Sequence, residues 1–402
     1  MLEPVSPPVG RPVISAVTGT NGKTSVATAT LQIMRAIGWC AAGYDSTGVD
    51  EVDGRLRPSG VRRSPDYLPE LIDSQAARGA QAISLEAFVG ILADGLFERV
   101  NVDVAVCTGL ERDHLDVHRS LEAYWGAKLS LFEQHLRADG IAVLASDCAQ
   151  RDLVETAARR RGARVVIVDA GGDRPRHDER ARRVRPDVRL LDARRVDDRI
   201  DGRLEIGDET LAVVLPTVHA VAATNLLLAA TAVIAAGGPA PQVVGALAEV
   251  KPPPGRLETV AERDGVRAMV DTAHNPGALR TALDSVRAST SGRLLLVFGA
   301  GGERDRAKRP EMGAIAASRA DLVILTDDNP RREPPQRIRD EVRAGCPDCL
   351  EIPRRADAIR AAIEMARPGD TVLVAGKGDE HDQLIGGRRV PHDDREVIRQ
   401  GL

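Results

Sequence analysis

The sequence predicts an α/β protein with largely parallel sheets, because short apolar runs alternate with segments of helical periodicity. The runs at 12–17, 82–85 and 102–107 are typical of buried strands, and apolar residues recur at helical spacing between them. The alternation begins again after residue 255. Such a restart predicts a second doubly wound domain rather than one larger sheet.

Each predicted element follows from its own apolar pattern. The segment 171–205 is rich in Arg and Asp of opposite charge, and we interpret it as a solvated excursion. Lys251-Pro-Pro-Pro-Gly255 predicts a stiff linker, which divides the chain into domains 1–250 and 251–402. The remaining predicted strands are 141–144, 164–168, 268–271, 293–298, 321–326 and 371–375, and the predicted helices are 26–37, 219–236 and 277–286.

Composition excludes several classes of protein. The 402 residues carry a formal net charge of −4 and only 2% aromatic residues, which argues against a nucleic-acid binder. No long apolar run or signal-peptide pattern is present, so we expect a cytoplasmic protein without a membrane span. Five scattered cysteines suit a reducing compartment. Cys346 and Cys349 form a lone CxxC pair, for which the sequence offers no further zinc ligands.

The chain has only five lysines among its 55 basic residues. A protein that uses arginine for ordinary surface charge can reserve lysine for sites that need a compact ammonium or a reactive amine. Drift toward arginine codons is the alternative. The positions favour the first interpretation, because four of the five lysines fall within the motifs described below: Lys23, Lys128, Lys308 and Lys377.

The most specific local motif lies between the first strand and the first helix. It is a shortened GxxGK[ST] loop, whose backbone N–H groups and following helix N-terminus predict phosphate binding. Lys23 would reach the β- and γ-phosphates of ATP, and Thr24 would hold Mg²⁺. The residues of this predicted cofactor-binding loop are Gly19, Thr20, Asn21, Gly22, Lys23, Thr24 and Ser25.

Polar residues follow the next two predicted strands. Glu86 closes the strand at 82–85, and His114 comes shortly after the strand at 102–107. At the carboxyl edge of a sheet, beside a phosphate loop, they would form a Mg²⁺ site. Taken alone, Glu86 would be an ordinary carboxylate and His114 a structural histidine. Lys128 lies on a predicted helix, where its alternative interpretation is a surface lysine with a buried stem.

The ordered set of motifs resembles the Mur ligase superfamily, most closely the branch that adds the third residue of the peptidoglycan peptide. The matching motifs run from about residue 12 to the end: GTNGKTS, TGLERDHLD, EAYWGAK, NLLLAA, PPPGRLE, DTAHNPGAL, FGAGGERDRAKRPEMG, TDDNPR, GKGDE and DDREVI. The resemblance implies a central P-loop ATPase domain with a mostly parallel sheet, followed by a C-terminal Rossmann-like α/β domain that binds an amino acid.

The resemblance also implies roles for individual residues. Thr24, Glu86, His114 and Lys128 would hold two Mg²⁺ ions, with Lys128 carbamylated as in many members of the family. Lys23, Glu86, His114 and Lys128 would carry the catalysis. Arg331 would grip a carboxylate of the incoming amino acid, and Glu380 would meet its amino group. The other implied nucleotide contacts are Asn225, Arg256, Asp271, His274 and Asn275, and the other implied substrate contacts are Arg304, Lys308, Asp328, Asn329 and Gly376.

The implied reaction is ATP-dependent joining of a small-molecule carboxylate to an amino acid through an acyl phosphate. Four departures from the family pattern point to a changed carboxylate: Arg63-Ser64-Pro65, Ala87-Phe88-Val89-Gly90, Gly109 and the GKGDE motif. The segment after Gly90 resembles the cyanophycin synthetase branch. Few residues precede the P-loop, so we also expect the family's UDP-binding N-terminal domain to be absent. These features predict a ligase of specialised metabolism or cofactor assembly.

Four alternatives remain open at the level of sequence. The chain could keep the peptidoglycan substrate, with a partner chain supplying the UDP-binding domain. It could use ammonia delivered by a glutaminase partner. It could be an idle nucleotide-binding module, although Lys23, Glu86, His114 and Lys128 are all retained. It could also phosphorylate a small molecule, since any P-loop can serve a kinase.

Overall fold

The computed structural model describes residues 2–5, 10–57, 64–111, 120–171 and 186–402. Within them the chain forms two compact units, one comprising the residues up to Lys251 and the other beginning at Pro252. His114 and Arg63 lie outside the described residues.

The first unit is built on one sheet in which parallel strands occupy the centre. The strands are β1 (Val13–Thr18), β2 (Ala41–Asp45), β3 (Gly48–Asp50), β4 (Leu56–Arg57), β5 (Ala82–Glu86), β6 (Val102–Cys107), β7 (Leu136–Ala145), β8 (Arg164–Asp169), β9 (Val188–Val196), β10 (Arg199–Ile206) and β11 (Glu209–Leu215). Their spatial order is β11-β10-β9-β8-β7-β6-β1-β5-β2-β3-β4. The strands from β9 to β2 in that order are parallel, and antiparallel strands extend both ends.

Helices cover this sheet, which is why its central strands are largely apolar. Every residue of β1 and of β6 is buried. A π-helical turn at Leu131–His135 follows the fourth helix, and a 3₁₀ turn at Leu247–Glu249 follows the seventh. The helices are α1 (Lys23–Ala36), α2 (Tyr67–Ala77), α3 (Val89–Ala93), α4 (Leu121–Ser130), α5 (Arg151–Arg161), α6 (Ala220–Ala235) and α7 (Ala240–Ala246).

The second unit has a six-stranded sheet in the order β12-β13-β17-β14-β15-β16, and a separate two-stranded hairpin. The strands are β12 (Glu258–Arg263), β13 (Val266–Asp271), β14 (Leu294–Phe298), β15 (Leu322–Leu325), β16 (Leu350–Glu351), β17 (Thr371–Ala375), β18 (Asp382–Ile385) and β19 (Arg388–Pro391). The helices are α8 (Pro276–Arg287), α9 (Lys308–Arg319), α10 (Pro335–Arg343), α11 (Arg355–Met365) and α12 (Asp394–Gly401).

Alternation along β14 separates two cores on opposite faces of the second sheet. Leu294, Leu296 and Phe298 belong to one apolar cluster, whereas Leu295 and Val297 belong to the other. Successive side chains of a strand point to opposite faces, so both faces must be covered. This arrangement places the strands in a three-layer α/β unit with parallel pairing from β13 to β16.

The structure confirms the α/β class and the predicted central strands. Within the segment interpreted as a solvated excursion, Val188–Val196 and Arg199–Ile206 form β9 and β10, two strands that were not predicted. Charged side chains occupy the exposed face of this meander, while Leu190, Leu204 and Ile206 face the core. The dense charges therefore hid an alternating strand pattern. Strand β12 and the hairpin β18–β19 were not predicted either.

Candidate active site

The phosphate loop joins β1 to α1 through two glycines with left-handed backbone. Gly19 has φ 140° and Gly22 has φ 83°. A Cβ atom at Gly19 would lie 2.0 Å from the Thr108 hydroxyl, so the loop tolerates no side chain there. Lys23 begins α1, and its Nζ donates to the Thr20 carbonyl over 2.8 Å. The loop is thus a compact cradle that opens onto a helix N-terminus.

Oxygen atoms from three neighbouring strands and loops converge beside this cradle. The Thr24 hydroxyl donates to Glu86 Oε2 over 2.9 Å, and the backbone N–H of Ser46 donates to the same oxygen over 3.2 Å. The Ser46 hydroxyl lies 3.3 Å from Thr24 Oγ1. Glu86 is 3% exposed. Parallel strands β1, β5 and β2 end at one edge, which is why these distant residues meet.

Lys128 is buried, so the interpretation as a surface lysine was wrong. Its Nζ lies 4.8 Å from the Tyr124 ring centroid and donates to the Gly19 carbonyl over 2.6 Å. The residue is 1% exposed. Helix α4 starts with a side-chain cap, in which Ser120 accepts from the Ala123 N–H over 3.2 Å. This helix therefore directs an amine to the phosphate loop. Carbamylation of Lys128 stays a prediction.

The loop after β6 supports the cradle through Thr108 and Glu111, which were not among the predicted site residues. The Thr108 hydroxyl donates to the Asn21 carbonyl, and the Thr20 N–H donates to the Gly109 carbonyl over 2.8 Å. Asn21 Nδ2 also donates to Glu111 Oε2 over 3.1 Å. Thr108 and Glu111 follow a buried strand closely in the sequence, and this position could have identified them as site residues. Loops at that edge of the sheet approach the ligand.

Helix α6 brings a further predicted residue to the loop. A Cβ atom at Gly22 would lie 2.9 Å from Asn225 Oδ1 and 3.2 Å from Asn225 Nδ2. Asn225 thus lies against the start of α1, where phosphates are expected. A contact with adenine stays a prediction.

Three aromatic side chains cluster near Glu86. The Tyr44 ring lies 6.0 Å from that of Tyr67 and 6.5 Å from that of Phe88. Tyr44 is 1% exposed, and its hydroxyl has no hydrogen-bond partner among the described residues. Burial, together with Tyr67 and the Glu86 carboxylate, raises the pKa of Tyr44, so its hydroxyl stays protonated.

The second unit holds a polar network at the ends of β15 and β17. Asn329 Nδ2 donates to Glu380 Oε2 over 2.9 Å, and Lys377 Nζ lies 2.6 Å from the same oxygen. Asp328 is buried, and its Oδ1 accepts from the Asn329 N–H over 2.7 Å. A Cβ atom at Gly376 would lie 2.4 Å from Asp328 Oδ2, which requires glycine there. Lys377 was not among the predicted site residues.

Arg331 is held in an uncommon conformation beside this network. Its φ is 57°, its N–H donates to the Leu384 carbonyl over 2.7 Å, and its Nη1 donates to the Gly302 carbonyl over 2.7 Å. Burial and the nearby Arg304 guanidinium lower the pKa of Arg331. Left-handed backbone at a non-glycine residue costs about 1–3 kcal/mol and is concentrated at functional sites.

The remaining predicted residues of the second unit take varied positions. Asp271 accepts from the N–H groups of Leu257 and Ala273, each over 2.8 Å, while burial raises its pKa. Asn275 caps α8, because its Oδ1 accepts from the Ala278 N–H over 2.8 Å, and this is a structural role. His274 Nδ1 is 2.8 Å from the Thr272 carbonyl, and Arg256 Nη1 is 3.7 Å from Asp379 Oδ1. Arg304 is exposed, and Lys308 is buried at the start of α9.

Cys346 and Cys349 are both buried. Burial and the neighbouring Cys349 raise the pKa of Cys346 to about 11, which disfavours the reactive thiolate. Among the described residues, no group of three or more His, Cys, Asp or Glu side chains is placed to hold a metal ion. No helix in the described ranges is both long and apolar enough to cross a membrane.

Family models match most of the chain. The Mur ligase middle domain matches residues 17–233, and the domain described as "Mur ligase, glutamate ligase domain" matches residues 255–378. The chain belongs to the Mur ligase family. It is an ATP-dependent ligase that joins an acid to an amino acid, as the motifs predicted.

Several curated Mur ligases that share one name resemble nearly the whole chain. UDP-N-acetylmuramoyl-L-alanyl-D-glutamate–2,6-diaminopimelate ligase of Brucella melitensis is 37% identical over 97% of this chain and 78% of its own length. The Caulobacter vibrioides ligase of that name is 39% identical over 96% and 78%. A solved structure of a ligase with this name has a TM-score of 0.66 at 31% identity, covering 99% of this chain and 78% of its own.

Proposed function

We propose that this Mur ligase adds 2,6-diaminopimelate to the D-glutamate carboxylate of UDP-N-acetylmuramoyl-L-alanyl-D-glutamate. The observation that carries the proposal is the 37–39% identity to ligases of that name over nearly all of this chain. This similarity favours the peptidoglycan substrate over specialised metabolism, which the departures in the sequence had suggested. It gives no support to a glutaminase partner or a partner chain.

The phosphate loop suits the first half of the reaction. A carboxylate oxygen of the donor attacks the γ-phosphorus of ATP, the bond to the β-phosphate oxygen breaks, and ADP leaves. An acyl phosphate results. Lys23 and the loop N–H groups bind the phosphate oxygens on which charge develops, so positioning and electrostatics lower the barrier.

The oxygen cluster beside the loop fits Mg²⁺. Thr24 Oγ1 lies 2.9 Å from Glu86 Oε2 and 3.3 Å from Ser46 Oγ. Hard divalent cations prefer such oxygen ligands. We assign Thr24 and Glu86 to hold the ion, with His114 and Lys128 as further predicted ligands. The bound ion would neutralise charge on the transferred phosphoryl group.

The second unit suits the amine acceptor. The nitrogen attacks the acyl carbon, the bond to the phosphate oxygen breaks, inorganic phosphate leaves, and the amine loses a proton. Arg331 would pair with a carboxylate of the amino acid, for which a planar guanidinium is well shaped. Glu380 would accept a hydrogen bond from the amino group, because its side chain is 48% exposed.

The test is ADP release combined with mass spectrometry of products. With Mg²⁺-ATP, the UDP-dipeptide and diaminopimelate, we expect a product with the summed mass of the two substrates less one water. Hydroxylamine in place of the amino acid should trap the acyl phosphate as a hydroxamate. Failure to form either product from the UDP-dipeptide would contradict the assigned donor.

A changed carboxylate donor is the second candidate, and one contact favours it. Phe88 packs near Tyr44 at the end of β5, in the segment that departs from the family pattern. This contact places an apolar ring in the segment Ala87-Phe88-Val89-Gly90, which departs from the family pattern. Efficient hydroxamate formation from an apolar acid, but none from the UDP-dipeptide, would favour this candidate over the first.

A further inference from the structure

A fully buried lysine lies at the end of β17 with no role yet assigned. Lys377 Nζ is 2.6 Å from Glu380 Oε2 and 3.1 Å from Asn329 Oδ1. The Lys377 side chain is 0% exposed, whereas that of Glu380 is 48% exposed. Glu380 therefore connects a buried cation with the surface.

Asn329 completes the arrangement. Its Nδ2 donates to Glu380 Oε2 over 2.9 Å, and its Oδ1 accepts from the Leu384 N–H over 2.9 Å as well as from Lys377. One Glu380 oxygen thus accepts from two fixed donors. An ammonium taken out of water is costly unless polar partners satisfy it, and Glu380 and Asn329 are the partners that satisfy Lys377.

The backbone holds Lys377 in place. Gly376 and Gly378 flank it with φ 119° and φ 56°. A Cβ atom at Gly378 would lie 2.1 Å from Thr272 Cγ2 and 2.6 Å from the Gly255 carbonyl. The close approach leaves no room for a side chain at Gly378, so the turn that carries Lys377 has little freedom.

We propose that Lys377 is a positioning residue for the amine acceptor. Together with Asn329 it fixes one Glu380 oxygen, and the carboxylate is thereby oriented to receive the amino group of the incoming amino acid. Lys377 acts through Glu380 and does not touch the substrate. The inference rests on the proposed function, which assigns the amine to Glu380. A purely structural ion pair is the opposing interpretation.

The test compares Lys377→Met, Glu380→Gln and the double variant. We expect Lys377→Met to raise the KM for diaminopimelate by about 10- to 100-fold, the loss typical of a hydrogen bond to a charged group. The KM for ATP and the rate of hydroxamate formation should not change, because hydroxylamine does not need Glu380. The double variant should match Glu380→Gln alone, since a residue that acts through another adds nothing once that residue is gone.

Lys251→Met is the matched control, because Lys251 is exposed and should leave every rate unchanged. Thermal unfolding checks that each variant is folded. If Lys377→Met does not fold, Lys377→Gln is measured in its place and judged by the same criteria. Glutamine keeps a hydrogen-bond donor without the charge. An unchanged KM for the amine, equal losses in both half-reactions, or additive effects in the double variant would overturn the role of Lys377.

Failure of the proposed function gives a different pattern in the wild-type protein. Hydroxamate formation without ligation of diaminopimelate would overturn the assigned amino acid alone. The KM comparison would then use the amino acid that the wild-type protein does ligate. A wild-type protein that ligates no amino acid would overturn both the proposed function and the role of Lys377.

Discussion

Among single residues, Thr24 makes the contact that matters most for the proposed metal site, because its hydroxyl donates to Glu86 Oε2 over 2.9 Å. We expect Thr24→Ala to raise the Mg²⁺ concentration needed for half-maximal rate, because it removes one of the groups assigned to hold the ion. Activity should fall by about 10- to 100-fold or more, since that is the loss when a group that merely orients metal ligands is removed. Thr24→Ser keeps the hydroxyl and should retain most activity. Steady-state rates over a Mg²⁺ titration measure this, and equal losses in both variants would contradict a hydroxyl-specific role.

Tyr44 presents the opposite case, a buried hydroxyl without a hydrogen-bond partner among the described residues. Because desolvating an unpaired hydroxyl is costly, Tyr44→Phe should leave the free energy of unfolding unchanged or raise it. Thr231→Val is the control, since the Thr231 hydroxyl donates to the Leu227 carbonyl over 2.7 Å in the core of α6. That change should cost about 1 kcal/mol. Urea unfolding compares the two, and a clear loss of stability in Tyr44→Phe would show that its hydroxyl has a partner.

At the scale of elements, Gly255 at the end of the linker lies against the backbone of the turn after β17. Gly255 has φ 71°, and a Cβ atom there would lie 2.3 Å from the Asp379 N atom. Gly255→Ala should therefore cost more than the roughly 1–2 kcal/mol of a left-handed residue, because backbone must also move. Gly386→Ala is the control, with φ 58° and open space around the added atom. Thermal unfolding should show the larger loss at Gly255, and equal losses would contradict the close approach.

The same element scale explains why the GKG pattern is informative. Gly376 and Gly378 keep the turn narrow, and Lys377 between them is directed into the protein. The short motif therefore specifies a backbone shape as well as a side chain. The glycines are visible in the sequence, whereas the contacts of Lys377 with Asn329 and Glu380 are visible only in the structure.

At the scale of the whole second unit, a buried ion pair joins α12 to α11. Arg355 donates to both Asp394 oxygens over 2.8 and 2.7 Å, and both side chains are 0% exposed. Although burial opposes it, the Arg355 guanidinium and the His392 hydrogen bond hold the pKa of Asp394 well below its usual range. Arg309 similarly lowers the pKa of Glu333 to about 2.

Acid unfolding should reveal this ion pair. A carboxyl group whose pKa is depressed by folding stabilises the protein above its unfolded pKa of about 4, and the stabilisation is lost as the pH falls toward the folded value. Asp394→Asn should cost about 3–5 kcal/mol at pH 7, because it leaves Arg355 buried without its partner. Stability should then depend less on pH below about 5.

The matched control is Asp264→Asn, whose carboxylate is 89% exposed in the same unit. It should leave the pH dependence unchanged. Urea unfolding followed by circular dichroism between pH 3 and pH 7 measures both variants, because in about this range such carboxyl groups take up protons in the unfolded chain and stay charged in the folded one. If the free energy of unfolding of Asp394→Asn fell with pH as steeply as that of the wild-type protein, the assignment would be contradicted.

The sequence by itself determined the α/β class, the central strands and the phosphate loop. These depend on local pattern: buried parallel strands are largely apolar, as in β1 and β6, and a phosphate loop requires glycine at fixed spacing. The family motifs also identified the ligase chemistry. Charged strands such as β9 were missed, because one exposed face masks an alternating apolar pattern.

Only the tertiary structure decided which polar groups meet. Thr24 and Glu86 are 62 residues apart in sequence, and Lys377 and Asn329 are 48 residues apart, yet each pair lies within hydrogen-bonding distance. The order of strands in a sheet sets such meetings, and no local pattern encodes that order. Burial of Lys128 and Lys377 was likewise hidden, because a lysine reads as a surface residue until the helices and turns around it are in place.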